Sequence, residues 1–384
     1  MKSEYIDSMT AYRALVERLI TCERIAVDTE FHRERYYFPR VALIQVSWGD
    51  GTALIDPQAV DVSDLSQIWE SDDTLVVMHA CEQDLDVMAK YCGGIPVRLF
   101  DTQIAAGFVG HGTPSLENLL YDELRVRIPK GDRLTDWTLR PLTDAQQRYA
   151  AADVDHLLEL HSRLTDQLER RGRTSWVADE CEQVLSNYHL LPNFTTLWWK
   201  LKGSRRLRGP ARGVAQEVMS WREQVAAAED IPPRYVTSDL ACMSIVQRQP
   251  TAVDELAGIR GLDARSLRRD WAVGLVEAVK RGRGLTESDL ALPPTPGGVR
   301  TPRALIALVT AWVQQRASDL DIDTARLATR ADVHAYLSGS GATRLSDGWR
   351  RDELAADIDR LAAGEAAVTC GSDGRLTLVD LADR

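Results

Sequence analysis

The first 175 residues alternate between short β-rich runs and amphipathic helical patterns, and this alternation constrains the fold more than any other feature. The runs RIAVDTEF, VALIQVSWG, TALIDP and LVVMHA have the length of strands and are separated by turn residues. Helical patterns follow at EQDLDVMAKYCG, at LFDTQIAAGFVG and from LTDAQQ to ERRG. This mixture predicts an α/β domain around a central sheet, with a hairpin across residues 49–51.

Beyond about residue 176 the strand patterns stop and helical ones remain. The stretch WWKLKGSRRLRGPARG is a basic connector, and LPPTPGGVRTP is a linker rich in proline and glycine. We therefore predict an α/β domain at 1–175, a helical and basic connector at 176–207, a helical domain at 208–288, a linker at 289–302 and a second helical domain at 303–384.

The composition is that of a soluble globular protein, with 44% hydrophobic and 27% charged residues among 384. No apolar run is long enough for a membrane span or a signal peptide, so we expect a cytoplasmic protein without membrane contact. We also expect a monomer. The six cysteines include no C-x-x-C pair, which argues against a zinc site. A net charge of −11 argues against coating nucleic acid by bulk charge, although it leaves room for a local basic groove.

The strand RIAVDTEF carries Asp28 and Glu30 directly after its apolar half. Residues i and i+2 of a strand point to the same face, so the two carboxylates lie side by side with Thr29 turned away. Like charges so close raise each other's pKa and lower stability unless a positive partner lies between them.

Two further segments place acidic residues beside buried elements. Asp84 begins a helix after the run LVVMHA, and Tyr149 and Asp153 are spaced by four on a helix, so they point the same way. By the same helical arithmetic, Asp155 faces elsewhere than Tyr149, and Asp84 and Asp86 lie about 160° apart, so only one of these two can face the site.

Any one of these segments alone is more often a turn or a cap than a catalytic site. Together they supply four carboxylates and a phenol, the oxygen donors expected for two hard divalent cations, Mg²⁺ or Mn²⁺. A metal pair of this kind activates water and stabilises the leaving oxygen of a phosphodiester. The missing positive partner of Asp28 and Glu30 is therefore predicted to be a pair of cations.

The segments VDTEF, HACEQDLDVM, LFDTQIAAGF and RLTDWTLRPLTDAQQRYAAADV resemble, in order and spacing, the motifs of ribonuclease D. This family belongs to the DEDD superfamily of 3′→5′ exonucleases, in the branch whose last motif is Tyr-x-x-x-Asp. The resemblance covers nearly all of residues 20–160. It implies an RNase H-like fold and a metal-dependent exoribonuclease that releases nucleoside 5′-monophosphates and trims tRNA precursors and other stable RNA.

The resemblance also implies roles for individual residues. Asp28, Glu30, Asp84 and Asp153 would be the metal ligands, with Asp28 shared by both ions. Tyr149 would orient the attacking water and help to deprotonate it.

The helical region from about 208 to 285 resembles the HRDC domain, through SWREQVAAAEDIPPRYVTSDL and LAGIRGL among other features. A second, looser copy at 303–384 is best matched by LSDGWRRDELAADIDRLAAGE. The resemblance implies two small all-α HRDC-type domains. No G-x-x-x-x-G-K-[ST] phosphate loop occurs in the sequence, so the chain is not itself a helicase.

Several other residues are candidates for substrate binding, each with a structural alternative. Phe31 and His79 match the family's pattern near the terminal nucleotide, and the alternatives are core packing and a hydrogen-bonded structural histidine. Gln45 either contacts substrate or satisfies backbone groups. The remaining candidates are charged or aromatic residues of a loop and of the connector: Lys130, Arg133, Trp137, Lys200, Lys202, Arg205 and Arg206.

Two other functions compete with an exoribonuclease. A 3′→5′ DNA exonuclease would use the same chemistry, and recognition of the 2′-hydroxyl, which distinguishes the two polymers, is not visible in the sequence. A non-catalytic RNA-binding protein is the other alternative, but the complete set of carboxylates and tyrosine argues against it.

Overall fold

The computed structural model describes residues 3–129, 135–262, 269–293, 301–341 and 343–381. The strands are β1 (Glu4–Ile6), β2 (Arg24–His32), β3 (Arg40–Ser47), β4 (Thr52–Ile55), β5 (Leu75–Met78), β6 (Leu99–Asp101), β7 (Ala366–Cys370) and β8 (Leu376–Asp380). The helices of the first 186 residues are α1 (Met9–Leu19), α2 (Ser66–Trp69), α3 (Glu82–Tyr91), α4 (Thr102–Gly107), α5 (Leu116–Leu124), α6 (Asp144–Asp155), α7 (Leu157–Arg170) and α8 (Thr174–Ser186). The later helices are α9 (Pro210–Ala228), α10 (Pro233–Val236), α11 (Asp239–Arg248), α12 (Arg269–Gly284), α13 (Arg303–Leu320), α14 (Thr324–Leu327), α15 (Arg330–Leu337) and α16 (Gly348–Ala363).

A six-stranded mixed sheet in the order β1-β4-β3-β2-β5-β6 forms the centre of the first domain. Strands β2, β3 and β4 are antiparallel neighbours, and β5 and β6 continue the sheet parallel to β2. The turn between β3 and β4 is closed by a hydrogen bond from the Trp48 N–H to the Gly51 carbonyl, 3.1 Å long. The predicted α/β domain and its hairpin across residues 49–51 are confirmed.

Strand β2 lies inside the sheet because its first half is apolar on both faces. Ile25, Ala26 and Val27 are completely buried. Strand β5 pairs with β2 only from Arg24 to Ala26, whereas β3 accompanies β2 as far as His32. In the described chain, the second half of β2 therefore has a strand on one side only, which leaves the other side open to helices.

The stretch from LTDAQQ to ERRG, predicted as one helix, is two helices that meet at His156. The first of them, α6, begins with a capping box between Thr143 and Gln146. Its buried Ala150 and Ala151 pack on the sheet beside Leu43 of β3. These small side chains allow the helix axis to approach the strands closely, and α6 therefore lies over β3 and β4.

The helical part of the chain has two different relations to the α/β domain. The first helical domain has its own buried core, which also takes in Leu197 and Trp198 of the connector. The second has no separate core, because its buried side chains are continuous with those of the α/β domain. Its Trp349 stacks on Trp176 of α8 with ring centroids 4.4 Å apart.

The prediction that the second helical domain is all-α is wrong at its end. Strands β7 and β8 form an antiparallel hairpin from Ala366 to Asp380. The connecting residues 371–374 read GSDG, and Gly374 adopts a positive φ of 81° in the turn. The flanking runs AAVTC and LTLVD are short and β-rich, so the signal was present but weak.

Among the described residues, no helix is long and apolar enough to cross a bilayer.

Candidate active site

Asp28 and Glu30 project from one face of β2, the face that α6 covers. Their cross-strand partners on β3 are Gln45 and Leu43, and directly opposite residues of an antiparallel pair share a face. Leu43 packs against Ala150 of α6, which identifies the covered face. Both carboxylates are half-buried. The spacing argument that placed them side by side agrees with this arrangement.

Asp84 lies in the first turn of α3, at the open side of β2. The Thr29 hydroxyl donates a 2.5 Å hydrogen bond to Asp84 Oδ1, so Thr29 holds this carboxylate although sequence reasoning gave it no role. The start of α3 is fixed by the carboxylate of Asp101, which accepts hydrogen bonds from the N–H groups of Ala80 and Cys81 at 3.1 and 2.9 Å. Asp84 therefore reaches the site on a rigid turn.

Tyr149 and Asp153 complete the group from helix α6. Asp153 is only 7% exposed, and its carboxylate lies close enough to the Tyr149 phenol to add to desolvation in raising the pKa of that phenol. One turn of helix between them produces this contact, as the spacing predicted. Asp155 faces away and accepts a hydrogen bond from the Thr52 hydroxyl.

Of the two α3 carboxylates of which only one was expected to face the site, Asp86 is the one that faces away. Asp86 forms an ion pair with Arg33 at 2.6 Å and accepts a 3.2 Å hydrogen bond from the Tyr188 hydroxyl.

Three of the four inward carboxylates, Asp28, Glu30 and Asp84, have a pKa that other carboxylates of the site help to raise. Desolvation and then the charge of Asp153 raise the pKa of Asp28 to about 8. Desolvation and the other three carboxylates, Asp28 first, raise the pKa of Glu30 to about 9. Desolvation and then Asp28 also raise the pKa of Asp84. Among the described residues, every charged group that contributes to these three shifts is another carboxylate, so the site concentrates unbalanced negative charge.

The donor set fits a hard divalent cation, since all four charged groups offer carboxylate oxygens. Gln45, opposite Asp28, is completely buried, and both polar atoms of its amide lack a partner in the described chain. Within the same residues no three Asp, Glu, His or Cys side chains form a finished metal cage. The structure therefore presents the donors and the uncompensated charge for a cation, and the ligand roles of the four carboxylates stay predictions.

Phe31 and His79 flank this group in different ways. Phe31 follows Glu30 after a shift of register and packs, half-buried, against the core. His79 Nδ1 lies 2.9 Å from the Thr102 hydroxyl, and desolvation lowers the pKa of its imidazole. These contacts give each residue a structural role, and their predicted contact with substrate remains a prediction.

Trp137 does not occupy the exposed position expected of a base-stacking residue. It is 5% exposed, and its ring centroid lies 5.9 Å from that of Tyr149. The structure gives Trp137 a packing contact beside Tyr149, and its predicted contact with substrate remains a prediction. Lys130 and Arg133, predicted to bind phosphates, lie outside the described residues.

The basic connector presents its charges to solvent. Its candidate side chains are all exposed: Lys200, Lys202, Arg205 and Arg206. No ion pair joins them to another described residue. This placement is compatible with the predicted contact to an RNA backbone and does not test it.

Arg140 is a residue that sequence reasoning missed. Its guanidinium donates two hydrogen bonds to Asp56, of 2.6 and 2.7 Å, and one of 2.6 Å to the Ala42 carbonyl. Ala42 is the extra residue where the register of β3 shifts opposite Glu30 and Phe31. Arg140 therefore ties the loop that precedes α6 to the strand beside Glu30.

Comparisons with known proteins agree with this geometry. Residues 3–169 match the 3′-5′ exonuclease family and residues 211–273 match the HRDC domain family. Ribonuclease D of Gluconacetobacter diazotrophicus is 32% identical over 370 residues, which cover 94% of this chain and 92% of that protein. Ribonuclease D of Jannaschia sp. is 33% identical over 372 residues, covering 94% and 95%.

Among solved structures, RNase D of Escherichia coli, an exoribonuclease involved in structured RNA processing, superposes with a TM-score of 0.82. It is 27% identical, and the match covers 95% of this chain and 99% of that one. The predicted architecture of an exonuclease domain followed by a helical HRDC region is confirmed. With such identity along nearly its whole length, the chain belongs to the ribonuclease D family of 3′→5′ exoribonucleases.

Proposed function

We propose that this chain, as a monomer, hydrolyses RNA from the 3′ end with two divalent cations, Mg²⁺ or Mn²⁺. The products are nucleoside 5′-monophosphates, and the substrates are tRNA precursors and other stable RNA with structured regions. The observation that carries this proposal is the meeting of Asp28 and Glu30 of β2 with Asp84 of α3, where the pKa of each carboxylate is raised in part by another carboxylate of the site.

In this proposal Asp28, Glu30, Asp84 and Asp153 would hold the cations. When bound, the cations supply an activated water and neutralise the 3′-oxygen that leaves. The chain itself positions the ligands: Thr29 fixes Asp84, and α6 delivers Asp153 against the face of β2. Because the chain's part is to position the ligands, the ligands come from rigid elements.

Tyr149 acts as a hydrogen-bond donor in this site. Desolvation and then Asp153, Glu30 and Asp28 raise the pKa of its phenol well above the ordinary value, so the group keeps its proton near neutral pH. A protonated phenol beside the carboxylates can orient a water. We therefore assign Tyr149 the orienting part of its predicted role.

Tyr149→Phe is expected to lower kcat about 100-fold while RNA affinity changes less than about twofold, because the ring stays in place and only the donor is lost. Single-turnover hydrolysis and equilibrium binding in chelator measure the two effects. Tyr121→Phe on α5, at a tyrosine 42% exposed, is the matched control. An equal loss of affinity would instead make Tyr149 a binding residue.

Charge reversal of the connector is expected to weaken RNA binding mainly at low salt. Replacing Lys200, Lys202, Arg205 and Arg206 by glutamate removes their phosphate contacts, and each lost contact lowers the slope of log affinity against log salt by about 0.7. Arg13→Glu on the exposed side of α1 serves as the control. A slope equal to that of the wild type would exclude the connector from the RNA footprint.

The proposal is tested by digesting one RNA that carries either a 5′ or a 3′ label, with Mg²⁺, Mn²⁺ or chelator. We expect the 5′-labelled RNA to shorten stepwise and the 3′-labelled RNA to release a labelled mononucleotide at once, with chelator stopping both. A DNA of the same sequence, run in parallel, tests the alternative polymer. Release of the 5′ label first, or full activity in chelator, would contradict the proposal.

A further inference from the structure

The segment 33–40, RERYYFPR, joins β2 to β3 directly after the acidic residues of the site. It contains three arginines, two tyrosines and one phenylalanine, although the whole chain has a net charge of −11. Arg33, Arg35 and Arg40 are all exposed. Interleaved arginine and aromatic side chains are typical of surfaces that bind single-stranded nucleic acid.

The first helical domain holds the backbone of this segment. Asp230, between α9 and α10, accepts hydrogen bonds from the N–H groups of Tyr37 and Phe38, both 3.1 Å long. Arg234 of α10 donates a 3.2 Å hydrogen bond to the Glu34 carbonyl. These contacts cross nearly 200 residues of sequence, so the segment is fixed by tertiary structure rather than by its own turn.

Helix α3 contacts two side chains of the segment, those of Arg33 and Phe38. Arg33 pairs with Asp86 at 2.6 Å, and the Lys90 ammonium lies 4.2 Å from the centroid of the Phe38 ring. Both contacts occupy groups that would otherwise be free to bind a ligand. These contacts also fix the segment before a ligand binds. Less conformational entropy of the remaining side chains is therefore lost on binding.

The remaining groups face outward. Arg35 has no hydrogen-bond or ion-pair partner among the described residues. Tyr36 is half-buried, with the Arg40 guanidinium 5.4 Å from its ring centroid and donating a 3.0 Å hydrogen bond to its hydroxyl. The Tyr36 ring offers a stacking surface for a base, and the Arg40 guanidinium beside it and the exposed Arg35 next to it in sequence offer donors for the adjoining phosphates.

A neighbouring cavity of about 230 Å³ is a poorer place for phosphate. Arg33 and Tyr37 line it, but so do Asp86 and Glu223, whose carboxylates oppose an anion. Among the described residues, the outward face formed by Arg35, Tyr36 and Arg40 has no carboxylate in a hydrogen bond or ion pair with it. After the hydrogen bond to Tyr36, only the more distant charge of Asp230 is a carboxylate that contributes to raising the pKa of Arg40.

Position relative to the site decides which part of a substrate this face would meet. Tyr36 follows Glu30 by six residues, so a fully extended chain places them at most about 20 Å apart. The face is therefore within reach of the nucleotides next to the one being removed.

We propose that Arg35, Tyr36 and Arg40 bind the single-stranded RNA immediately 5′ of the terminal nucleotide, with one base stacked on Tyr36 and the flanking phosphates on the arginines. This inference rests on the proposed function. It gives the first helical domain a role in RNA binding, since Asp230 holds the backbone of the binding segment in place. The substrate class that follows is RNA whose 3′ end is unpaired for several nucleotides.

The test compares kcat/KM for a dinucleotide and for an unstructured 12-nucleotide RNA, using the full chain with Mg²⁺. In the wild type we expect the longer RNA to be preferred, and Arg35→Ala/Tyr36→Ala to reduce that ratio about tenfold, since one stacked base and one phosphate contact are lost. Tyr36→Phe keeps the ring and should retain most of the ratio. Arg13→Ala, at an exposed arginine of α1, controls for the change of charge.

The outcomes separate this inference from the proposed function. A wild type that digests neither RNA would contradict the proposed function. A wild type that is active, with a double variant whose ratio is unchanged, would overturn only the present inference. Equal losses on the dinucleotide and the longer RNA would also overturn it, because the segment would then act on the geometry of the site rather than on the RNA beyond it.

Discussion

Asp28→Asn is expected to abolish hydrolysis and, at the same time, to stabilise the metal-free protein. The first effect follows from loss of a carboxylate proposed to hold the cations, and we expect kcat to fall at least about 10³-fold, or about 4 kcal/mol of transition-state stabilisation. The second follows from the electrostatics of the site. Asp28 is desolvated and repelled by Asp153, so removing its charge relieves the folded state.

The stabilisation depends on pH in a defined direction. A carboxyl group whose pKa is higher in the folded than in the unfolded chain contributes stability that is present at low pH and lost as pH rises through the folded value. For Asp28 and Glu30 this window extends from ordinary values of 3.8 and 4.5 to about 8 and about 9. In chelator, the wild type should therefore lose stability between about pH 4 and pH 9, and Asp28→Asn should lose less.

Denaturant unfolding in chelator at pH 5 and pH 9 measures this difference. We expect the variant to exceed the wild type by roughly 2–4 kcal/mol at pH 9 and by little at pH 5. Adding Mg²⁺ should stabilise the wild type and leave the variant nearly unchanged. Asp73→Asn, at an exposed loop residue, makes the same chemical change outside the site. A variant less stable than the wild type at pH 9 would contradict the mutual repulsion of the carboxylates.

The acidic residues of the site could be predicted because short-range periodicity decides their directions. Asp28 and Glu30 are two apart on a strand, and Tyr149 and Asp153 are four apart on a helix. The same rule placed Asp155 on another face, where it contacts Thr52. Each of these predictions uses the geometry of one regular element and requires nothing from distant parts of the chain.

The supporting contacts could not be predicted in this way, because they join residues far apart in sequence. Thr29 and Asp84 are separated by 55 positions, and Arg140 and Asp56 by 84. Trp137 follows a charged loop sequence that favours an exposed binding loop, yet tertiary packing buries its ring beside Tyr149. A single sequence contains no signal for these pairings, which depend on where β5 ends and how α6 lies on the sheet.

The boundaries between structural units were predictable only in part. The change from mixed to helical patterns near residue 176 is visible in composition, but nothing in the sequence shows which helical domain shares the core of the nuclease. The first keeps its own apolar cluster, whereas the second merges with the α/β domain. Two helical domains of similar appearance therefore differ in what they contribute to stability.

Trp349→Ala is accordingly expected to destabilise the nuclease domain itself, by about 3–5 kcal/mol. The Trp349 ring lies 4.4 Å from Trp176 and 5.3 Å from Phe108, centroid to centroid. Phe108 belongs to the α/β domain, and Trp176 belongs to helix α8, which packs on β6 and α4 of that domain. The neighbouring Arg350 forms a buried ion pair with Glu180 of α8 at 2.6 Å, which the cavity would expose. The substitution therefore removes contacts both in the second helical domain and in the part of the chain on which that domain packs.

Trp221→Ala is the matched comparison, since Trp221 is 6% exposed in the separate core of the first helical domain and Trp349 is 7% exposed in the shared one. Hydrogen exchange at the amides of β2 and β3 distinguishes the two variants. Trp349→Ala should lower protection there by the full loss of stability, because these strands and the second helical domain open together. Trp221→Ala should lower protection mainly in α9, α11 and α12. Equal protection of β2 in both variants would show that the second helical domain opens independently, and its shared core would then contribute little to holding the acidic residues in place.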